Sequence, residues 1–309
     1  MDFKFVLVTM ATRLENLVVR YNTLSQARFY IEHLGADFSD YELEHNRYQE
    51  SLENCKKQLA LAGRLQVLPR EYLPNYLFGP DDVVVALGRD GLVANTLKYL
   101  KGQPLFGVNP EPQRWDGVLL PFTPPEVGES IQSWKSGRTE VKTVTMAQVT
   151  LGDGRSLLAV NDLFIGTRSH ISSRYTLSLG DKEESQSSSG IIVSTGLGSS
   201  GWLKSIVAGA QGILQELGGQ GVSQGLTIPW DADYLYYTVR EPFPSLSSQA
   251  GLVFGKVTAQ KPMRVLSQMP ESGVIFSDGV EKDYLEFTSG TRATIGLSPT
   301  QGHLVQKVH

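Results

Sequence analysis

The segment VVVALGRDGLVANTLKYL, residues 83–100, predicts the architecture of the first part of the chain. It begins with a β-branched apolar run, turns at Gly88-Arg89-Asp90-Gly91 and continues into a segment with helical character. A continuous apolar run predicts a strand that is buried on both faces of a parallel sheet. The free amides at the start of the next helix suit a phosphate group. Taken alone, the turn is equally well explained as a helix capped by a carboxylate.

The same alternation of strands and helices continues on both sides of this stretch. Strand-like segments cover residues 3–8, 64–68 and 104–109, and helical patterns cover about 13–33 and 40–62. Strands that alternate with helices predict a doubly wound α/β domain with a mostly parallel sheet. We expect this domain to cover residues 1–125.

Short strands dominate the rest of the chain. They are separated by turns, one of which, Gly152-Asp153-Gly154, predicts a hairpin. The low-complexity run DKEESQSSS, residues 181–189, is typical of an exposed loop. We expect a β-rich, dinucleotide-binding domain over residues 126–309, with a return of about the last 20 residues to the first domain as an alternative for that segment.

Composition excludes several classes of protein. The net charge of −4 argues against a nucleic-acid partner, which would need a basic face. No apolar run approaches the roughly 20 residues that span a bilayer, so no membrane partner is expected. The single cysteine, Cys55, allows neither an internal disulfide nor a cysteine-based zinc site. We therefore expect a cytoplasmic protein.

A second glycine-rich turn follows a strand-like segment at 190–195. Residues Gly196–Gly201 match G-x-G-x-x-G and lead into a helical segment. One interpretation is the dinucleotide turn of a Rossmann dehydrogenase. No acidic residue ends a strand about 20 positions further on, where that fold places the ribose partner. The other interpretation is a turn whose amides and hydroxyls, from Ser199 and Ser200, suit an anionic or ribose-bearing ligand.

A third candidate is the pair Asn161-Asp162, which follows the apolar segment LLAV. Such a pair at a strand end forms a simple Asx turn, or it holds the hydroxyls or amide edge of a nucleotide. The chain has no Walker A sequence, no H-E-x-x-H and no G-x-S-x-G. It also offers no candidate for the catalytic acid or base of a dehydrogenase.

Taken in order, GRDGL (88–92), ND (161–162) and STGLGSSGW (194–202) resemble the signatures of the NAD kinase family, which are a GGDGT-type turn, an N-E pair and a T-x-T-G-S-T-A-Y-type loop. The chain is most similar to the mitochondrial-type branch. The segments that carry this further likeness are FGVNPEPQRWDG (106–117), LFIGTRSHISSR (163–174), YTVREP (237–242) and SDGVEKDYLEF (277–287).

The resemblance implies a kinase that moves a phosphoryl group from ATP or inorganic polyphosphate to the 2′-hydroxyl of the adenosine ribose of NAD, giving NADP. It implies the NAD kinase/diacylglycerol kinase-like fold, with a dinucleotide cleft between an α/β and a β-rich domain. It also implies a homodimer, and Mg²⁺ held mostly by the donor's phosphates and water.

By position, Asp90 matches the catalytic aspartate of the family, and no residue is predicted to bind a metal directly. The residues that the resemblance assigns to binding the dinucleotide or the donor are Gly88, Arg89, Gly91, Asn109, Asn161, Asp162, Arg174, Thr195, Gly198, Ser199, Ser200 and Gly201. Arg114 and Arg168 are further candidates to neutralise phosphate, since a guanidinium group matches its oxygens.

Three positions depart from the family pattern. Arg89 replaces the second glycine, Leu92 the threonine and Asp162 the glutamate. Arg89 either fills the space of the phosphates or clamps them. These departures leave open a catalytically impaired NAD(P)-binding relative with a sensing or regulatory role. The dehydrogenase and a related lipid or sugar kinase are the remaining alternatives.

Overall fold

A computed structural model describes residues 3–219, 227–281 and 283–307. The chain divides into two compact units, Met1–Lys142 with His303–His309 and Thr143–Gly302. The division falls later than the expected boundary at residue 125. The reason is that the helix after that point places Val127 and Ile131 in the apolar core of the first unit, where they pack with Leu59.

The first unit is an α/β structure. Its helices and strands are β1 (Lys4–Thr9), α1 (Arg13–Tyr21), α2 (Leu24–His33), α3 (Ser39–Ala62), β2 (Arg64–Pro69), β3 (Asp82–Leu87), α4 (Asp90–Leu97), β4 (Pro104–Val108) and α5 (Val127–Lys135). The strands run parallel in the order β2-β1-β3-β4. The end of the chain adds a parallel segment, in which His303 lies opposite Pro104. The predicted doubly wound, mostly parallel sheet is thus confirmed.

Strand β3 is buried along its whole length, as the apolar run predicts. Its side chains Val83 and Val85 pack with Phe5 of β1 and with Cys55 of α3. Burial raises the pKa of the Cys55 thiol to about 12, so this group is a core side chain and not a reactive one. The helical pattern of residues 13–33 is interrupted at Asn22, which has φ +65° and ends α1.

The second unit is built mainly from antiparallel strands. Its elements are β5 (Glu140–Leu151), β6 (Ser156–Ala159), β7 (Asp162–Thr167), β8 (Ser173–Leu179), β9 (Lys182–Ser188), β10 (Ile191–Ser194), α6 (Trp202–Glu216), β11 (Tyr234–Val239), β12 (Phe254–Thr258), β13 (Met263–Ser267), β14 (Gly273–Ser277), β15 (Tyr284–Glu286) and β16 (Arg292–Gln306). One sheet has the order β12-β11-β10-β7-β14-β15. A second contains β16-β13-β8-β9, with β5 beside β16 and β6 beside β5.

Side chains from both sheets form one apolar core in this unit, which includes Ile165 of β7 and Leu177 of β8. The hairpin predicted at Gly152-Asp153-Gly154 joins the antiparallel strands β5 and β6. No helix in the described part of the chain is long and apolar enough to cross a membrane.

The prediction of an exposed loop at residues 181–189 is wrong. Most of this run forms β9, which pairs with β8 along its length. Its inward side chains are polar but satisfied, because the hydroxyl of buried Tyr175 contacts both Gln186 and Ser188. The composition predicted a loop because this strand is made of polar residues. The alternation of inward and outward side chains that is typical of a strand is therefore not visible as an alternation of apolar and polar residues.

Candidate functional site

The first candidate site is the turn between β3 and α4. Arg89 has extended backbone angles (φ −113°, ψ 166°) and stands immediately before the helix, which begins at Asp90. A Cβ at Gly88 would lie 2.7 Å from the sulfur of Met10, so a larger residue there would require the Met10 side chain to shift. A Cβ at Gly91 would meet nothing within 4 Å, so the fold itself does not require that glycine.

The Asp90 carboxylate is held by a neighbouring loop. Its Oδ1 accepts the backbone N–H of Leu119 at 2.8 Å. The backbone of Leu119 in turn packs closely against β4, because a Cβ at Gly107 of that strand would lie only 1.9 Å from the carbonyl oxygen of Leu119. The carboxylate is half-buried and has a fixed orientation, which suits a group that must position a hydroxyl.

The Arg89 side chain is directed towards helix α3. Its Nη2 donates to Oε1 of Glu44 at 3.1 Å, and its Cζ lies 4.2 Å from the centre of the Trp115 ring. No atom of the Arg89 side chain lies within 4 Å of the position that a Cβ at Gly91 would occupy. Leu92, the other departure at this turn, is buried in the core of the unit.

Arg89 belongs to a larger set of charged groups. Arg13 pairs with both Glu44 and Asp40, and Arg114 donates to Asp40 at 2.6 Å. The hydrogen bonds from Arg114 and then Arg13 lower the pKa of Asp40 to about 2. We call Arg13, Asp40, Glu44, Arg89, Arg114 and Trp115 the arginine cluster.

Asn109 organises the loop that carries Trp115. Its Nδ2 donates to the carbonyl oxygen of Trp115 at 2.9 Å, and its Oδ1 accepts the N–H of Glu111 at 3.0 Å. The side chain is buried and is used by the chain's own loop. A role for Asn109 in binding the dinucleotide stays a prediction.

The second candidate site lies in the second unit, at the start of β7. One carboxylate, that of Asp278, accepts the N–H groups of Val160 at 3.1 Å, Asn161 at 2.6 Å and Asp162 at 3.3 Å. These bonds fix the backbone of the Asn-Asp turn.

Asp162 has an unusual environment. Its Oδ1 is buried and has no hydrogen-bond partner among the described residues. Burial raises the pKa of Asp162 to about 7, the Ser194 hydroxyl opposes the shift, and the Asp278 carboxylate adds to it. A buried carboxyl oxygen without a partner is costly to a fold, so it is a candidate contact for a ligand.

The glycine and hydroxyl loop packs directly against this turn. Thr195 donates its N–H to the carbonyl oxygen of Asn161 at 2.9 Å, and its Oγ1 donates to that of Val160 at 2.5 Å. The same Oγ1 accepts the N–H of Gly198 at 3.1 Å. A Cβ at Gly198 would lie 2.2 Å from the Asn161 carbonyl oxygen. The structure therefore brings Asn161, Asp162, Thr195 and Gly198 together.

The remaining residues of this loop lie further along it. The Ser199 hydroxyl is buried and donates to the carbonyl oxygen of Gly196 at 2.7 Å. Ser200 and Gly201 are exposed. Trp202 begins α6, and its ring is stacked with that of Phe164 of β7, at 6.0 Å between centres and an interplanar angle of 10°.

The arginines predicted in this unit lie apart from the turn. Arg174 is an exposed residue of β8, which belongs to the other sheet. Arg168 follows β7 at the end opposite Asp162, with its guanidinium 3.6 Å from the centre of the Tyr284 ring. The structure does not bring either arginine to Asp162, and their binding roles stay predictions.

The interpretation of Gly196–Gly201 as a Rossmann turn is wrong. That turn requires a strand, a helix and a second strand parallel to the first. Here β10 is antiparallel to both of its neighbours, β7 and β11. The dehydrogenase alternative loses its structural basis.

Sequence reasoning missed three residues that support these sites. Glu44 and Trp115 hold Arg89, and Asp278 holds the Asn161-Asp162 turn. Of these, Trp115 and Asp278 carried a signal, since they belong to the FGVNPEPQRWDG and SDG segments of the family resemblance, whereas Glu44 carried none. Within residues 3–219, 227–281 and 283–307, no group of three or more His, Cys, Asp or Glu side chains could hold a metal ion.

Solved structures with this architecture include an NAD kinase and an NADH kinase. An NAD kinase from Archaeoglobus fulgidus, solved with ATP, has a TM-score of 0.58 and 18% identity over 98% of this chain and 93% of its own. Yeast NADH kinase, solved with NADH, has a TM-score of 0.60 and 14% identity over 100% of this chain and 84% of its own. The chain has the NAD kinase fold.

The similarity in sequence to a curated NAD kinase covers a smaller part of the chain. The NAD kinase of Chlorobaculum tepidum is 30% identical over 124 residues, which are 39% of this chain and 43% of that protein. The chain thus matches less than half the length of this curated relative. No family model matches the sequence.

Proposed function

We propose that this chain is an NAD kinase, which transfers a phosphoryl group from ATP or polyphosphate to the 2′-hydroxyl of the adenosine ribose of NAD. The observation that carries this proposal is Asp90, at the start of a helix and with its carboxylate oriented by Leu119. The NAD kinase fold and the partial sequence match to an NAD kinase support it.

In the proposed reaction Asp90 accepts a hydrogen bond from the 2′-hydroxyl and receives its proton as the oxygen attacks. A bond forms between this oxygen and the terminal phosphorus, and the bond from that phosphorus to the bridging oxygen breaks. With ATP the products are NADP and ADP, and the proton passes from Asp90 to solvent. Phosphoryl transfer depends mainly on positioning and on charge neutralisation, so a single oriented carboxylate is sufficient.

We assign dinucleotide binding to the turn in the second unit. Its polar groups are Asn161 and the Oδ1 of Asp162, which has no hydrogen-bond partner in the described part of the chain, and the loop from Thr195 to Gly201 supplies hydroxyls and amides. Asp162 is one methylene shorter than glutamate. The fixed position of its backbone under Asp278 supports the view that the shorter acid serves the same role.

Magnesium would be bound with the donor. The described residues contain no cluster of metal ligands. We therefore propose that magnesium binds to the phosphate oxygens of the donor, with water molecules as its remaining ligands. The mitochondrial-type branch, a homodimer and a cytoplasmic location stay predictions.

The catalytically impaired relative remains the second candidate because of Arg89 and Leu92. Two observations favour an active enzyme. Arg89 is drawn towards Glu44, so it leaves the space at Gly91 open, and Leu92 is a core residue whose side chain packs near Gly88.

The test is NADP formation by the purified protein with NAD, magnesium and a panel of donors, read with an NADP-specific dehydrogenase. The proposal predicts NADP with at least one donor among ATP, other nucleoside triphosphates and polyphosphate. Folded protein that binds NAD but makes no NADP with any donor would favour the impaired relative.

A further inference from the structure

We propose that Arg89 is the residue that anchors the anionic phosphates of the phosphoryl donor, and that Glu44 and Trp115 are positioning residues that hold it in place. This inference rests on the proposed function, because it takes the bound anion to be the donor. The substrate class that this arrangement fits is a chain of linked phosphates, as in a nucleoside triphosphate or an inorganic polyphosphate.

The Arg89 side chain is held firmly by its neighbours. Glu44 is buried and uses one oxygen for Arg89 and the other for Arg13. Removing one partner from a buried carboxylate is costly, so Arg89 does not leave it freely. The indole of Trp115 adds a second contact on the guanidinium. Arg89 is therefore a preorganised group and not a mobile one.

Arg89 keeps N–H donors that its contact with Glu44 does not use. A guanidinium group has five N–H donors, and the contact with Glu44 uses Nη2 alone. The side chain of Arg89 remains 37% exposed. The cavity beside it, lined by Glu44, Tyr48 and Gly88, has a volume of about 20 Å³, which is enough for one water molecule. An anion must therefore reach Arg89 from its solvent side.

Arg89 is one of three guanidinium groups in this part of the unit, with those of Arg13 and Arg114. They pair with the carboxylates of Asp40 and Glu44, and the carboxylate of Glu111 also acts on Arg114. Arg114 lies near the same indole as Arg89, with its Cζ 5.6 Å from the ring centre. Two fixed guanidinium groups near one ring suit a ligand with several phosphate oxygens.

Arg89 is next to the proposed catalytic group in the chain. It directly precedes Asp90, and consecutive Cα atoms are about 3.8 Å apart. The proposed reaction places the terminal phosphate beside the hydroxyl that Asp90 holds. The guanidinium of Arg89 lies at Glu44, so it is placed for the phosphates that extend from Asp90 towards α3 and not for the terminal phosphate itself.

The experiment measures binding and turnover separately. Inorganic tripolyphosphate with magnesium is titrated by calorimetry into the wild type, Arg89→Ala and Glu44→Gln, and the KM values for donor and for NAD are measured for each. Arg28→Ala is the matched control. Arg28 also pairs with a glutamate, Glu42, and its guanidinium also lies over an aromatic ring, but on a different part of the same unit.

We expect Arg89→Ala to weaken tripolyphosphate binding and to raise the donor KM at least about tenfold, which is about 1.4 kcal/mol. The NAD KM should stay within twofold of wild type, and Arg28→Ala should change neither quantity. Glu44→Gln should also raise the donor KM, by a smaller factor, and should leave the NAD KM unchanged. A general loss of stability would not raise one KM and leave the other unchanged.

Two results would overturn the inference. One is Arg89→Ala protein that binds tripolyphosphate as well as wild type. The other is a variant that binds it more tightly, which would show that Arg89 keeps phosphates out. If the wild type makes no NADP, the proposed function fails, and the calorimetric titration still decides whether Arg89 binds linked phosphates. If NADP forms and Arg89→Ala changes nothing, the function stands and this inference fails.

Discussion

The carboxylate of Asp278 accepts the backbone N–H of Asn161 at 2.6 Å, although the two residues are 117 positions apart. The same carboxylate accepts the N–H groups on both sides of Asn161. The position of the Asn161-Asp162 turn is therefore set by a residue that follows β14, and the glycine and hydroxyl loop packs on the turn so formed.

Replacing Asp278 by alanine should weaken both stability and dinucleotide binding. A charged acceptor is worth about 1.5–3 kcal/mol to the groups it bonds, so we expect a loss of about 2–3 kcal/mol in the free energy of unfolding. Asp278→Asn should lose less, because asparagine keeps an acceptor oxygen and tolerates the φ of +55° found here. Urea unfolding and calorimetry with NAD measure the two effects. Equal losses for both variants would contradict this role.

The raised pKa of Asp162 predicts a specific dependence of stability on pH. The folded protein holds this proton up to about pH 7, whereas the ordinary value is 3.8. Between these values the folded state binds more protons than the unfolded chain, so this group lowers the free energy of unfolding as the pH rises. The decrease has a limit of about 1.4 kcal/mol per pH unit.

Asp162→Asn is the control for this effect, since it removes the titration and keeps the shape. The free energy of unfolding of the wild type minus that of the variant should fall from pH 4 to pH 7. A difference that does not change over this range would show that the buried carboxyl is not protonated in the folded protein.

Gly198→Ala should disturb the second site through the backbone. The added methyl group would lie 2.2 Å from the carbonyl oxygen of Asn161, and the loop would have to move. We expect a loss of about 1–3 kcal/mol in the free energy of unfolding, with weaker NAD binding. If the free energy of unfolding of Gly198→Ala equals that of the wild type, the loop and the Asn161-Asp162 turn are not in contact.

Gly91→Ala should have the opposite effect on stability. This glycine lies in a helix and a methyl group there meets nothing within 4 Å, so the variant should gain about 0.5–1 kcal/mol. If a phosphate approaches the backbone at this point, the donor KM should still rise by about tenfold, or about 1.4 kcal/mol. A more stable variant with an unchanged donor KM would remove Gly91 from the proposed donor site.

The sequence was sufficient where a signal is local. The apolar run before Gly88 predicted a fully buried strand, and the structure has one at β3. The residues ND and STGLGSSG stood out as local turns, and Asn161, Asp162, Thr195 and Gly198 do meet.

The sequence was insufficient where partners are distant or polar. Glu44 lies 45 positions before Arg89, and a single ion pair leaves no periodic pattern. Strand β9 was missed because its inward side chains, Gln186 and Ser188, are polar. In the fold both contact the hydroxyl of the buried Tyr175. The likeness of Gly196–Gly201 to a Rossmann turn was misleading because a short glycine pattern does not define strand direction.

The kcat of Asp90→Asn for NADP formation shows whether the Asp90 carboxylate takes part in phosphoryl transfer. Asparagine keeps the size and the acceptor for Leu119 but cannot take a proton, so we expect kcat to fall by about 10²–10⁴ while NAD binding persists. Asp81→Asn, an exposed carboxylate at the other end of β3, should keep wild-type activity. An Asp90→Asn enzyme with the kcat of the wild type would contradict the account.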